Sequence, residues 1–347
     1  MPARRAFGAF VGVALLLAIG AGQATAATKT VYAGPNAKLP GDLVINDFYG
    51  KKVTIHQGDS VRWVFRGFHD VVFPAKGKKP PGFIVPDAAA KIAGVNDAAG
   101  NPFWFNGQPR FQVDPQTAFP AGGKTYDGSK LAGSGAPLGP VKPYKLKFTK
   151  KGTFTYYCTI HPGMKGQVKV VARSARIPSA AQDAKAAQKQ LVAQEKTAKK
   201  LADPTIPAAT VHGGSDKGAV NQLKFFPSTV TIKAGQAVSF EVPGGQEPHT
   251  FSFGTPDYLR AVVANQIAPL PGSGNPPLLV FDPRVLYPSD APLPAYDGTN
   301  HGNGFISTGA LGEGLPAKKS SITFSKPGTY DFVCLIHPEM QGKVVVQ

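Results

Sequence analysis

The chain has 347 residues, of which 42% are hydrophobic and 10% aromatic, so it is long enough for two domains of roughly 150 residues with buried cores. Its 40 glycines and 33 prolines, against only 17% charged residues, favour turn-rich β structure over long amphipathic helices. The net charge of +17 is uneven: residues 27–172 hold 20 Lys and Arg against 8 Asp, whereas residues 211–347 hold 9 against 10 acidic residues. The lysines lie in β-type segments without a recognition motif, which argues against nucleic acid as a partner.

The N-terminus has the pattern of an export signal. Arg4 and Arg5 precede an apolar run over residues 7–20, and small residues follow at Ala24 and Ala26. This pattern predicts a signal peptide over residues 1–26, with an uncleaved anchor as the alternative. No other segment stays apolar for about 18 residues, so no membrane span is predicted. We expect a secreted or periplasmic, extracytoplasmic protein.

The rest of the chain repeats itself. Residues 53–61 (VTIHQGDSV) return as residues 230–238 (VTIKAGQAV), and residues 151–164 (KGTFTYYCTIHPGM) return as residues 327–340 (PGTYDFVCLIHPEM). Each copy contains alternating strand patterns, and the order of the matched segments is the same. The repeats predict two homologous β domains, over residues 27–172 and 211–347.

Residues 173–210 differ in character from both repeats. The stretch from Ser179 to Leu201 is rich in Ala, Gln and Lys, opens with a capping residue and stops before Asp203 and Pro204. It predicts a helix with a thin apolar face, lying against one domain as a spacer. A flexible, disordered linker is the alternative.

Each repeat contains one set of candidate metal ligands in the form of an upstream His and a Cys-x-x-His-x-x-Met loop. Two imidazoles and a thiolate can form a trigonal plane, with a thioether as a weak axial ligand, and this donor set selects copper and suits electron transfer. The two sets are His69, Cys158, His161 and Met164, and His249, Cys334, His337 and Met340. Both cysteines are thereby assigned, so a disulfide scaffold is not expected. The sequence predicts copper at two sites per chain.

Other uses of these residues explain less of the pattern. Structural zinc prefers four Cys or His ligands, and methionine is not a usual partner for it. A catalytic Cys–His pair would explain neither the methionine nor the duplication. We therefore predict no catalytic residues at these positions.

These motifs make each repeat resemble a cupredoxin, the plastocyanin/azurin family of type 1 blue copper proteins, with a short ligand loop most similar to that of amicyanin. The resemblance implies an all-β fold of two tandem Greek-key β-sandwiches joined by a partly helical linker. It also implies electron transfer through the exposed edge of the loop histidine, which here is His161 or His337. Many members carry Asn after the first His; Asp70 and Thr250 stand there instead, which leaves the hydrogen bonding around the sites open.

Two long insertions separate the first His from the Cys, at about residues 76–140 and 256–316. They are rich in Pro, Gly and aromatic residues. A lid, a docking surface and a contact between the domains are all open, beside the simpler interpretation of a packed addition to the sandwich.

We predict a non-enzymatic protein that carries single electrons between redox partners by Cu(I)/Cu(II) cycling. The basic first half favours an acidic partner. A copper carrier or buffer without a redox role is one alternative. The other is a copper oxidase or reductase with a second copper site. However, the chain lacks His-x-His pairs, and in neither case is the residue immediately before the cysteine a histidine. The remaining histidines, His56, His212 and His301, are predicted to lie on the surface.

Overall fold

The computed structural model describes residues 26–35, 39, 42–201 and 203–347. The predicted signal peptide, apart from Ala26, lies outside the described residues. Within these residues strands dominate, as the composition predicts, and they form five sheets. Among the described residues, no helix is long and apolar enough to cross a membrane.

The first half contains thirteen described strands and one short helix. The strands are β1 (Thr28–Ala33), β2 (Leu43–Ile45), β3 (Phe48–Tyr49), β4 (Lys52–His56), β5 (Ser60–Phe65), β6 (Val72–Phe73), β7 (Ile84–Lys91), β8 (Pro109–Val113), β9 (Thr125–Tyr126), β10 (Ala132–Gly133), β11 (Tyr144–Phe148), β12 (Gly152–Tyr157) and β13 (Lys165–Val171), and the helix is α1 (Pro115–Ala118). Two sheets, ordered β3-β1-β5-β11-β9 and β10-β6-β12-β13-β4, form a β-sandwich.

Alternating burial explains how these strands make one core. In β4 the pattern of exposed and buried residues alternates, so that Val53 and Ile55 point inward. They pack with residues of the opposite sheet, including Trp63, which is fully buried. Aromatic rings fill the centre: Trp63 meets Phe73 and Tyr156 edge to face, at centroid distances of 5.4 and 5.2 Å.

The second half repeats this architecture. Its elements are β14 (Thr210–Lys217), β15 (Val220–Phe226), β16 (Thr229–Ile232), β17 (Ala237–Glu241), β18 (Ser252–Phe253), α3 (Pro256–Ala264), β19 (Ile267–Pro269), β20 (Leu279–Phe281), α4 (Pro283–Leu286), a 3₁₀ turn (Asn300–Gly302), β21 (Ile306–Ser307), β22 (Lys319–Thr323), β23 (Gly328–Val333) and β24 (Gln341–Val346). The two sheets are ordered β2-β15-β14-β17-β22 and β16-β24-β23-β18-β21, around a separate buried core.

One strand crosses from the first half of the sequence to the second sandwich. β2 pairs antiparallel with β15, with Ile45 opposite Val220 and Leu43 opposite Gln222. The backbone N–H of Asn46 then donates to the carbonyl of Ala219 at 2.9 Å. The domain boundaries drawn from the sequence do not anticipate this crossing of β2. The crossing brings residues 43–46 next to the second half.

The linker contains a helix where the sequence predicts one. The helix, α2 (Ala180–Lys199), begins at a capping box formed by Ser179 and Gln182. Leu191, its one buried residue, packs in a cluster with Ile45, Tyr49 and Val220, so the helix contacts both halves instead of one. Gln190 and Gln194 add hydrogen bonds to the Asp47 carboxylate, at 2.8 and 2.9 Å.

The two insertions form a fifth sheet together. Its order is β19-β20-β8-β7, and Val280 of the second insertion pairs with Gln112 of the first. Both insertions also contribute to a shared cluster of buried aromatic and aliphatic residues. The insertions therefore form a contact between the halves, one of the alternatives left open by the sequence.

Candidate metal centres

The first cluster is built by one strand end and one tight loop. His69 lies between β5 and β6, and Cys158, His161 and Met164 lie between β12 and β13. The loop closes on itself, because the N–H of Cys158 donates to the carbonyl of Met164 at 3.0 Å and the N–H of Met164 donates to the carbonyl of His161 at 3.1 Å. Gly163 adopts a φ of 91°, in the left-handed region that favours glycine, and so permits the turn.

The second cluster repeats this construction. His249 precedes β18, and Cys334, His337 and Met340 lie between β23 and β24. The same two hydrogen bonds close the loop, from Cys334 N–H to Met340 at 3.1 Å and from Met340 N–H to His337 at 2.9 Å. Met340, like Met164, is buried in the core of its own half.

Ring nitrogens and sulfur converge in both clusters. In the first, the His69 and His161 Nδ1 atoms are 3.0 Å apart, and the Cys158 Sγ lies 4.0 and 3.4 Å from them. In the second, the Nδ1 atoms of His249 and His337 are 3.2 Å apart, and the Cys334 Sγ lies 3.9 Å from each.

This convergence fits a metal ion. Trigonal bonds of about 2.0–2.3 Å to nitrogen and sulfur separate the donor atoms by roughly 3.5–3.8 Å, close to the observed spacing. Three donor atoms that face one another in a buried space have few other partners to satisfy them. Thiolate, imidazole and a nearby thioether are the donor types that copper prefers.

Burial and neighbouring charges act differently on the two cysteines. Burial, together with the charge of Asp70, raises the pKa of the Cys158 thiol well above its usual range. Burial also opposes ionisation of Cys334, but its contacts with His249 and His337 outweigh burial and hold the thiol pKa well below its usual range. Burial lowers the pKa of His69 to about 3, which keeps that imidazole neutral and able to bind a metal.

In each half, the residue after the first histidine ties together the two segments that carry the candidate ligands. The Asp70 carboxylate accepts from the Thr159 N–H at 2.6 Å and from the Thr159 hydroxyl at 2.5 Å. The Thr250 hydroxyl accepts from the Leu335 N–H at 2.7 Å. The question left open by the missing Asn is thereby answered, since both replacements supply an acceptor to the residue after the cysteine.

Glu247 lies between the two clusters. Its Oε1 is 3.3 Å from the Nε2 of His161, and its Oε2 is 3.4 Å from the Nε2 of His337. The carboxylate is buried, and the Asn46 Nδ2 donates to Oε1 at 2.5 Å. Burial alone would favour the neutral acid, but the two imidazoles hold the pKa of Glu247 well below its usual range.

The prediction that the loop histidine exposes one ring edge to solvent is therefore wrong for His161, which is only 5% exposed. In both loop histidines, the ring edge that was expected to face solvent contacts Glu247 instead. The His337 side chain is 16% exposed. A cleft of about 480 Å³ opens near both clusters and is lined in part by Phe68, His69 and His337. Phe68, at 43% exposure, is one of its most accessible apolar residues.

The three remaining histidines do not come together in the structure. His56 contacts Asp59 and the carbonyl of Ala175, and His212 faces Glu241. His301 lies between the carboxylates of Asp97 and Asp290, 3.0 Å from each, so it links the two insertions and is not a surface residue. Among the described residues, the groups of three or more His, Cys, Asp or Glu side chains that could hold a metal ion are the two clusters described above.

Comparison with known proteins agrees with the site. Residues 41–171 match the profile of the copper binding proteins of the plastocyanin/azurin family. Amicyanin-alpha of Methylorubrum extorquens is 59% identical over 27 residues, which are 8% of this chain and 23% of that protein, so the match spans about a quarter of the relative's length.

Solved structures of small copper proteins also align. Amicyanin from Paracoccus versutus is 22% identical, with coverage of 42% of this chain and 86% of that chain and a TM-score of 0.20. Oxidised plastocyanin from the fern Dryopteris crassirhizoma is 20% identical, with coverage of 40% and 99% and a TM-score of 0.21.

The part of the chain that carries the first cluster, residues 41–171, is thus similar to the plastocyanin/azurin family of copper-binding proteins, as its motifs predict.

Sequence reasoning missed Glu247. It occupies the position of Gly67 in the repeat, two residues before the histidine, so the first half has no counterpart of it. A charged residue beside a ligand in one repeat alone is a signal of a second role, but the repeat comparison does not reveal that its carboxylate faces both halves.

Proposed function

We propose that the protein carries single electrons between redox partners, using two type 1 copper sites. The ligands would be His69, Cys158, His161 and Met164 in the first half, and His249, Cys334, His337 and Met340 in the second. Copper would supply one-electron chemistry by cycling between Cu(I) and Cu(II). The convergence of two imidazole nitrogens and one sulfur in each of two buried clusters carries the proposal.

The surroundings of the clusters favour electron transfer over copper carriage. Loop hydrogen bonds close both ligand loops, and Asp70 or Thr250 ties each loop to the strand end that holds the first histidine. Donors that cannot move far keep their geometry when one electron is gained or lost, which keeps the reorganisation of the site small. A carrier that releases its metal needs a site that opens.

We propose the following organisation for the whole chain. Residues 1–26 are a signal peptide, residues 27–172 and 211–347 are two tandem cupredoxin domains, and residues 173–210 link them. The protein then works outside the cytoplasm. Its partners are redox proteins, and the excess of Lys and Arg in residues 27–172 favours an acidic one.

The experiment that tests the function is redox cycling in the presence of a Cu(I) chelator. Copper-loaded protein is reduced with ascorbate and reoxidised with ferricyanide over several cycles, with bicinchoninate present throughout. An electron carrier keeps its copper and recovers its full visible absorption after each cycle. Rapid transfer of copper to the chelator on the first reduction would contradict the proposal and support the carrier alternative.

A further inference from the structure

Glu247 is supplied by one half of the molecule and contacts the candidate ligands of both. His161 belongs to the first cluster and His337 to the second, and each presents its Nε2 to one oxygen of the same carboxylate, at 3.3 and 3.4 Å. Each histidine directs its Nδ1 at its own cluster. A neutral imidazole that binds metal through Nδ1 carries its proton on Nε2, so both rings can donate to Glu247.

Neighbouring contacts hold this carboxylate in place. Asn46 directly follows β2, the strand that crosses to the second half. Its side-chain amide donates to Oε1, the oxygen that faces His161. Gln246, the preceding residue, donates its Nε2 to the carbonyl of Pro162 in the first ligand loop at 2.9 Å. Two adjacent side chains of the second half therefore hold the loop that carries His161.

Metal-bound histidines commonly donate their second ring N–H to a carboxylate, which fixes the ring and its tautomer, and losing such a partner typically costs about 10–100-fold in metal affinity. Here one carboxylate is positioned to do this for two rings in separate clusters. Its burial strengthens both contacts, because little water competes for the oxygens.

We propose that Glu247 is a positioning residue shared by the two metal sites, so that the second half of the chain controls the site of the first half as well as its own. This inference rests on the proposed function, because it requires copper at both clusters. The two sites are then coupled through one shared carboxylate and are not independent of each other.

Single-site proteins separate the two effects. Cys334→Ser leaves the first site to report alone, and Cys158→Ser leaves the second. Copper affinity and the thiolate band are measured in each protein with Glu247, with Glu247→Ala and with Glu247→Gln. We expect Glu247→Ala to weaken copper binding about 10–100-fold at both sites.

The isosteric variant Glu247→Gln preserves the size of the side chain, so its effect on copper binding can be measured even if Glu247→Ala does not fold. Glutamine has one acceptor oxygen, and the Asn46 donor holds that oxygen on the side of His161. Glu247→Gln should therefore weaken the second site more than the first. Glu241→Gln is the matched control: this carboxylate faces His212, outside both clusters, and its change should leave both affinities as they are.

A second readout distinguishes positioning from general stability. In the Cu(I)-loaded protein, which is diamagnetic, the Nε2 protons of His161 and His337 should give slowly exchanging nitrogen-15 correlation signals that disappear in Glu247→Ala. First-site affinity and signals unchanged by Glu247→Ala would overturn the proposal. Failure of both single-site parents to bind copper would instead contradict the proposed function itself, and the positioning role with it.

Discussion

At the residue scale, the position after the first histidine shows one task performed by two side chains. Asp70 accepts two hydrogen bonds from Thr159, and Thr250 accepts one from Leu335. Both join the first candidate ligand to the loop that carries the other three candidates. Asp70 also places a buried carboxyl beside Cys158, and this is one source of the opposite pKa shifts of the two thiols.

The first prediction concerns this tie in the second half. Thr250→Val preserves the shape of a fully buried side chain but removes the acceptor for the Leu335 N–H. A buried donor left unpaired costs about 1–3 kcal/mol, so we expect the unfolding free energy of the metal-free protein to fall by that amount. Denaturant unfolding measures it, and Thr250→Ser, which keeps the hydroxyl, is the control. Equal stability of the Val and Ser variants would contradict the assignment.

The second prediction concerns His301. Its imidazole lies between Asp290 and Asp97, and hydrogen bonds and charge from these carboxylates outweigh burial and raise its pKa above 6.5. A group with a raised pKa in the folded state contributes stability that is full below its unfolded pKa and is lost as the pH rises through the folded value. We expect the stability difference between wild type and His301→Gln to shrink as the pH rises from about 6 upward.

Thermal unfolding of both proteins, measured across that pH range, checks this expectation. The range lies above the usual pKa of an aspartate, so that Asp97, whose pKa is lowered, remains ionised throughout. A difference that stays constant or grows with pH would show that His301 is not held as a cation between the two insertions.

At the scale of elements, α2 acts as a clamp across both halves. Leu191 is 7% exposed and packs against residues of β2, β3 and β15, whereas its neighbour Val192 is 38% exposed. Leu191→Ala should cost about 2–3 kcal/mol, near the lower end for a buried leucine because the side chain keeps some exposure to solvent. Val192→Ala should cost less than about 0.5 kcal/mol.

Denaturant unfolding of the two variants measures these costs, and amide hydrogen exchange of α2 locates them. Leu191→Ala should increase exchange throughout the helix, while Val192→Ala leaves exchange nearly unchanged. Similar effects of the two substitutions would mean that the helix does not dock through Leu191.

Sequence patterns predicted local elements well and long-range pairing poorly. The alternation in residues 53–61 predicted the strands that became β4 and the start of β5, and the capping residue predicted the start of α2. The Cys-x-x-His-x-x-Met spacing is local and predicted the clustering of Cys158 with His161. The crossing of β2 and the pairing of Val280 with Gln112 depend on which strand edges meet, and periodicity carries no information about that choice.

At the scale of the whole molecule, the charge asymmetry predicts how redox reagents approach. Lys145 and Lys147 are among the exposed basic residues of the first half, on the outward face of β11. A positive surface attracts anions, and salt screens this attraction over about 10 Å at 0.1 M. Oxidation of the reduced protein by anionic ferricyanide should therefore slow as ionic strength rises.

Stopped-flow kinetics at several salt concentrations measure this dependence. A cationic cobalt complex used as the oxidant is the matched control, and its rate should rise with salt. Salt dependence of the same sign for both reagents would remove the electrostatic basis for an acidic partner.

The central claim, two type 1 copper sites in one chain, is tested most directly by the visible absorption spectrum of the oxidised, copper-loaded protein, with copper counted per chain. The account predicts 2 copper ions per chain and an intense thiolate-to-copper band at about 600 nm, roughly halved in Cys158→Ser and in Cys334→Ser. A colourless protein, or a band that disappears entirely when one of the two cysteines is replaced, would contradict it.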